Sequence, residues 1–258
     1  MSRFSRQLGF MNRNDPMQGF LIIMLLLLVT QISRDRPDYS AEQVVAFLAS
    51  FVIATSIHEF SHAITALALG DRTAKDLGRV TLNPIEHFDP FGFIGMVMIS
   101  LGYGMIGWGK PVPVNPARFK DRRLRPQRGM AVVAAAGPIS NILQALIVAV
   151  PLRLTDRPFA LDGGDAAMYG WIFVYVNILL ASFNFIPIPP LDGSKILLGL
   201  VPRFWFPILA PLERYGFLIL FVIFFFNTSI TNDLSNAMIN PQRTFLLNHF
   251  TGLHFSYQ

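Results

Sequence analysis

Two histidines and a glutamate fall within five residues in His58-Glu59-Phe60-Ser61-His62, inside an apolar run at 44–69 that carries no other charge. Ionisable groups at membrane depth cost free energy and persist mostly where they do chemistry or line a polar cavity. On an α-helix, positions four apart are separated by about 40° around the axis and about 6 Å along it, so both imidazoles can reach one metal ion. Glu59 then leans beside that ion, placed to take a proton from a water the metal activates. Two neutral imidazoles and a carboxylate base form most of a hydrolytic zinc centre, which lacks only a third protein ligand. The alternative, an idle helix that buries all three groups in hydrocarbon, is poor on energetic grounds.

The third ligand cannot be sulfur, because the chain has no cysteine. A disulfide framework and a thiol nucleophile are excluded for the same reason, and any transition metal must be held by His and carboxylate. Asp192 is the other acid set in an apolar stretch, in the run NFIPIPPLDG at 184–193. Pro187, Pro189 and Pro190 cannot continue a regular helix and hold Asp192 on a stiff turn, with Gly193 permitting close backbone approach. Asp192 is thus either the missing ligand or a cap for the segment beginning at Ser194.

Several polar residues surround these four. Asn141, in GPISN at 137–141, either donates to substrate backbone or a developing oxyanion, or bonds a neighbouring helix. Asn184 poses the same choice and is carried as a substrate-binding candidate, whereas helix–helix bonding is the default for Asn177. Thr55, Ser56, Ser61 and Thr65 either admit water to the metal or serve as small helix contacts. His87 reads as a loop histidine, and His249 and His254 as surface residues.

The elements that must position these groups follow from composition. With 52% hydrophobic and 14% charged residues, the 258-residue chain is too apolar for an ordinary soluble domain and points to one membrane-embedded domain over 1–258, with its core at 44–200. The net charge of +5 sits beside hydrophobic segments, so cytoplasmic loops explain it and no nucleic-acid partner is expected. Apolar runs at 17–32, 44–69, 130–152, 167–186 and 207–226 predict an all-α polytopic membrane protein with about five transmembrane helices. No small-residue cleavage site follows the first run, which is therefore read as a retained helix with its N-terminus in the cytoplasm.

The stretch at 91–108 is apolar but holds Gly92, Gly95, Gly102, Gly104 and Gly107, which weaken a helix. The loop after it carries Lys110, Arg118, Lys120, Arg122, Arg123, Arg125 and Arg128 against one acid, Asp121, and is expected to be cytoplasmic. The motif helix ends on that same side, so 91–108 is expected to be a re-entrant or β-hairpin segment. That topology runs the helix before Asp192 parallel to the motif helix and delivers Asp192 towards His58 and His62.

With HEFSH, GPISN and NFIPIPPLDG in this order, the chain resembles the site-2 protease family of intramembrane zinc metalloproteases over about residues 46–200. The stretches TLNP at 81–84 and GWGKPVPVNP at 107–116 look like the compact subgroup without PDZ or CBS domains. The resemblance implies one zinc ion on His58, His62 and Asp192, with Glu59 as catalytic acid/base. It also implies a role for Asn141 in stabilising substrate or intermediate, and a membrane-associated strand region between the motif helix and the GPISN helix. The implied activity is hydrolysis of peptide bonds within or near transmembrane segments of other proteins, in the lipid bilayer of a prokaryotic inner membrane. A metal-binding transporter or sensor is the rival reading, and it would tolerate loss of Glu59. A silent scaffold is a second rival and needs no zinc. Nothing in the residues assigns a particular substrate or an oligomeric state.

Overall fold

The computed structural model describes residues 40–101, 107–120, 125–155 and 166–201. The apolar runs expected at 17–32 and 207–226, and also His249 and His254, lie outside the described residues. Among the described residues every regular element is helical and none is a strand.

Helix α1, Ala41–Ala68, starts where the sequence provides a capping box. The Ser40 hydroxyl accepts from the Gln43 amide at 3.2 Å, and the Gln43 side chain accepts from the Ser40 amide at 2.8 Å. Two otherwise orphaned N–H groups are thereby satisfied. The helix stops before Gly70, whose φ of 105° is a conformation that glycine adopts without strain. Its 28 residues rise about 42 Å, more than a bilayer core requires.

After α1 the chain makes the short helix α2, Thr73–Asp76, and a 3-10 turn, Pro84–His87. Helix α3 is Pro90–Ser100, 11 residues long. Asp89 caps it by accepting from the amides of Phe91 at 3.1 Å and Gly92 at 2.8 Å, and Pro90 occupies the first turn, where its missing N–H is not needed. These start signals outweigh the glycines, and α3 forms in the stretch expected to be re-entrant or a β-hairpin. At about 16 Å it is too short to cross a bilayer. The described part of 91–108 contains no strand. Two of its glycines, Gly92 and Gly107, serve as contact surface. A Cβ on Gly92 would overlap the Trp108 carbonyl, and one on Gly107 would lie 2.8 Å from the Met96 amide nitrogen, so 107–108 crosses α3 in close contact.

Helices α4, Pro126–Leu154, and α5, Ala166–Asn184, are the other two elements long and apolar enough to cross a membrane among the described residues. Helix α6, Asp192–Leu200, follows the proline-rich run. Helix α4 packs against α1, α5 and α6, and α1 also packs on α5. One core cluster joins Phe51 and Ala54 of α1 to Met96 of α3 and to Met168, Ile172 and Val176 of α5. A second joins Ala145 and Ala149 of α4 to Trp171, Val174 and Ile178 of α5. Small buried residues such as Ala63, Ala66, Ser140 and Ser182 let the helices approach closely, while Ile53, Ile64, Leu143 and Ile147 face outward. Apolar side chains on both the inner and outer faces fit a lipid surrounding rather than water.

The segment 107–120 is tied back to the end of α1. Asp71 is fully buried, and its Oδ2 accepts from the Asn115 amide at 2.6 Å while Oδ1 accepts from the amide and hydroxyl of Thr73. Burial alone would raise the Asp71 pKa; the Thr73 hydroxyl, then the Asn115 and Thr73 amides, outweigh it and hold the carboxyl below its ordinary value. A lowered folded pKa means the contribution is present above the unfolded value of about 4 and fades as pH falls through the folded value. Asp71→Asn is therefore expected to cost about 1–3 kcal/mol at neutral pH, because an amide N–H would face the Asn115 N–H. In thermal unfolding in detergent, the gap between wild type and variant should close in strong acid.

Candidate metal centre

His58 and His62 lie one turn apart on the buried face of α1, and Asp192 is the first residue of α6. The three are brought together from opposite ends of the core. Asp192 Oδ2 is 3.1 Å from His58 Nε2 and 3.1 Å from His62 Nε2, and the two Nε2 atoms are 3.0 Å apart. All three residues are buried. Ligands at about 2.0–2.1 Å on a tetrahedral zinc are separated by about 3.3 Å, close to this triangle.

The hydrogen bonds of the two rings decide what the triangle can hold. His58 Nδ1 donates to Asn141 Oδ1 at 2.6 Å, and His62 Nδ1 donates to the Val133 carbonyl at 2.7 Å. With the ring protons on Nδ1, both Nε2 atoms carry lone pairs, and these converge with a carboxylate oxygen. Three electron-pair donors so close, in an apolar setting, fit a cation between them. His58, His62 and Asp192 are also a three-residue group whose donor atoms lie within 4.8 Å of one another.

Glu59 stands beside this group and not in it. Its Oε2 accepts from the Val112 amide at 3.0 Å, so the segment after Trp108 borders the site. The cavity, about 340 Å³, is lined by the three donors together with Thr55, Glu59, Trp108, Val112, Asn184 and Lys195. Lys195 Nζ lies 3.9 Å from Asp192 Oδ1, the oxygen not shared with the histidines.

The asparagines separate. Asn141 is fully buried and does not line the cavity. It accepts from His58, and its Nδ2 donates to Asn177 Oδ1 at 2.9 Å and to the Ala54 carbonyl at 3.4 Å. Both ends of the amide are thus engaged within the protein, with His58, Asn177 and the Ala54 carbonyl as partners. Asn177 bonds between helices, as its default reading had it. Asn184 lines the cavity and donates to the Leu180 carbonyl of its own helix at 3.0 Å. The hydroxyls of Ser56 and Ser61 return to carbonyls one turn back in α1, whereas Thr55 faces the cavity. His87 is buried in the 3-10 turn with Nε2 at 2.7 Å from the Thr81 carbonyl oxygen, apart from the metal group.

Three participants had no signal in residue type. The Val112 N–H is a backbone donor. Gly137 provides the space against which both ligand rings lie, since a Cβ there would come 2.5 Å from Cε1 of His58 and Cε1 of His62. Arg79, almost fully buried, donates from Nη2 to the Lys110 carbonyl and, at 3.3 Å, to the Pro111 carbonyl. Burial pulls its pKa below the ordinary arginine value, with Glu59 and Glu86 acting in the opposite sense.

Fold and site together define a membrane-helical protein with a buried group of two histidines and one aspartate arranged as metal donors. The chain is 34% identical over 225 residues to the candidate zinc metalloprotease YwhC of Bacillus subtilis, covering 85% of this chain and 97% of that one. It is 28% identical over 180 residues to the candidate zinc metalloprotease Rip2 of Mycolicibacterium smegmatis, covering 69% of this chain and 66% of that one. A third relative, the candidate zinc metalloprotease MJ0611 of Methanocaldococcus jannaschii, is 35% identical over 106 residues, 40% of this chain and 50% of that one. No protein-family model and no solved structure matches the chain. The chain belongs to the site-2 protease family of zinc metalloproteases.

Proposed function

We propose that the protein hydrolyses peptide bonds within or near the transmembrane segments of other membrane proteins. The observation that carries this reading is a carboxylate, Glu59, on the wall of a buried cavity next to three converging metal donors, all among helices of membrane length. His58, His62 and Asp192 would hold the zinc. Bound there, zinc lowers the pKa of a water and polarises the scissile carbonyl. Glu59, with Oε2 held by Val112, offers its other oxygen to take a proton from the attacking water and to return it to the leaving amine. Asn141 serves by fixing the tautomer and direction of His58, a supporting role of the kind that tunes a metal ligand. Asn184, on the cavity wall, is the candidate for holding substrate backbone.

A helical substrate must unwind locally before its carbonyl can be attacked. The irregular backbone at 107–114, beside Glu59, is where an extended chain would be held. The remaining topology belongs to the same reading: one membrane-embedded domain with about five transmembrane helices, α3 and its neighbours as a re-entrant segment, and a cytoplasmic N-terminus in a prokaryotic inner membrane. The test is a panel of single-pass membrane helices in liposomes with purified protein, products being mapped by mass spectrometry. Cleavage inside or at the edge of a transmembrane segment, abolished by a zinc chelator and restored by zinc, is the expected result. Cleavage confined to soluble peptides would overturn it.

A further inference from the structure

The Pro111 carbonyl and the Val112 N–H are the two ends of one planar peptide group. Arg79 Nη2 donates to the carbonyl end at 3.3 Å, and the N–H end donates to Glu59 Oε2 at 3.0 Å. A buried cation, an oriented peptide dipole and the proposed catalytic carboxylate therefore stand in series, each link a hydrogen bond. The same Nη2 also binds the Lys110 carbonyl, so the guanidinium grips two successive carbonyls, while its buried Nε has no partner. Pro111 and Pro113 have no N–H, which leaves Val112 as the one amide between them.

We propose that Arg79 is a positioning residue for the hydrolysis, fixing the Pro111–Val112 peptide plane so that this plane holds one oxygen of Glu59 and leaves the other to move the proton. The proposal rests on the reading of Glu59 as the acid/base. A purely structural arginine would serve to attach the segment to the protein, but other contacts already do that. Lys110 donates its amide to the His87 carbonyl at 2.8 Å on one side, and Asn115 donates to Asp71 at 2.6 Å on the other. Removing Arg79 leaves both attachments in place and releases the plane between them. Lysine is an incomplete substitute: its ammonium can donate to both carbonyls, but it lacks the planar guanidinium that fixes where Nη2 sits and the direction in which it donates.

The experiment compares Arg79→Met, Arg79→Lys and Val112→Pro with wild type. It measures zinc content, kinetics on a membrane helix that wild type cleaves, and amide hydrogen exchange of the metal-free protein at Val112 and Asn115. Arg79→Met should keep its zinc and its KM within about twofold and lose kcat by at least about tenfold, since small misplacements of a reacting group have effects of that order or larger. Val112 exchange should accelerate by about tenfold or more while Asn115 stays protected. Arg79→Lys should recover part of kcat. Val112→Pro, which removes the donor to Glu59 and sets the ring Cδ in its place, should lose kcat at least as much, and combining it with Arg79→Met should add little further loss. Unchanged kcat and Val112 protection in Arg79→Met, additive losses in the double variant, or loss of zinc and of Asn115 protection along with activity would each overturn the proposal. A wild type that cleaves no helix tells against the hydrolytic reading alone, and the exchange at Val112 still decides the coupling.

Discussion

Glu59→Gln is expected to retain wild-type zinc and to lose cleavage by about 10²–10⁴-fold, the range that general acid–base groups supply. The substitution keeps the shape of the side chain. Its amide oxygen can still accept from Val112, as Oε2 does in the native chain at 3.0 Å. The amide nitrogen is then left on the side where the proton must be taken, and it has no lone pair for the task. None of the metal donors is touched, since Glu59 stands outside the group formed by His58, His62 and Asp192. Zinc by elemental analysis and cleavage of membrane helices in liposomes read the two effects separately. A variant with undiminished function would instead favour a metal-binding transporter or sensor. A wild type without zinc would remove the basis of the hydrolytic reading.

Gly137→Ala should be nearly as damaging although Gly137 contributes no functional group. A methyl at this position would lie 2.5 Å from Cε1 of His58 and 2.5 Å from both Cε1 and Nε2 of His62. Neither ring can withdraw freely, because Asn141 and the Val133 carbonyl hold them by Nδ1. The rings must tilt and the donor triangle must open. Zinc affinity is expected to fall by about 10–100-fold, the scale on which supporting contacts act at metal sites, with activity falling in parallel at limiting zinc. Gly78→Ala is the matching control. Nothing lies within 4 Å of a Cβ there, but φ is +71°, so the expected effect is about 1 kcal/mol of stability with zinc affinity intact. Competition with a zinc indicator dye, together with thermal unfolding, separates the two cases.

The three residues of the candidate metal group were legible because their signal lies in residue type and simple periodicity. Two histidines four apart in a helix share a face, whereas Asp192 read equally as a cap for the segment from Ser194, and the fold sets its carboxylate beside both rings. The three membrane-length helices among the described residues were legible as long apolar runs, although α4 begins at Pro126, four residues before the run that announced it. Asn141 shows where the sequence ran short. Both of its readings were open, and the choice depends on how α4 is rotated against α1, which no local pattern encodes. The stretch at 91–108 shows a different failure. Its glycine content argued against a helix, yet the Asp89 cap and Pro90 start one, and Gly92 and Gly107 are explained by the close crossing of 107–108 over it. Val112 and Arg79 were invisible for a third reason. A backbone N–H has no residue signature, and an arginine at the end of a polar loop looks like any other until the loop folds over it.

The wide separation of the donors along the chain has a consequence for how the protein persists. His62 and Asp192 are 130 residues apart, on the first and last of the described helices. A zinc ion held by them would therefore act as a reversible cross-link between these two helices. An unfolded chain does not present this triangle, so binding free energy becomes folding free energy. By mass action, each tenfold rise of free zinc above the dissociation constant adds about 1.4 kcal/mol to the folded state. A cell short of zinc would then hold fewer folded copies as well as fewer loaded ones, and membrane quality control would set the enzyme's abundance by the metal supply.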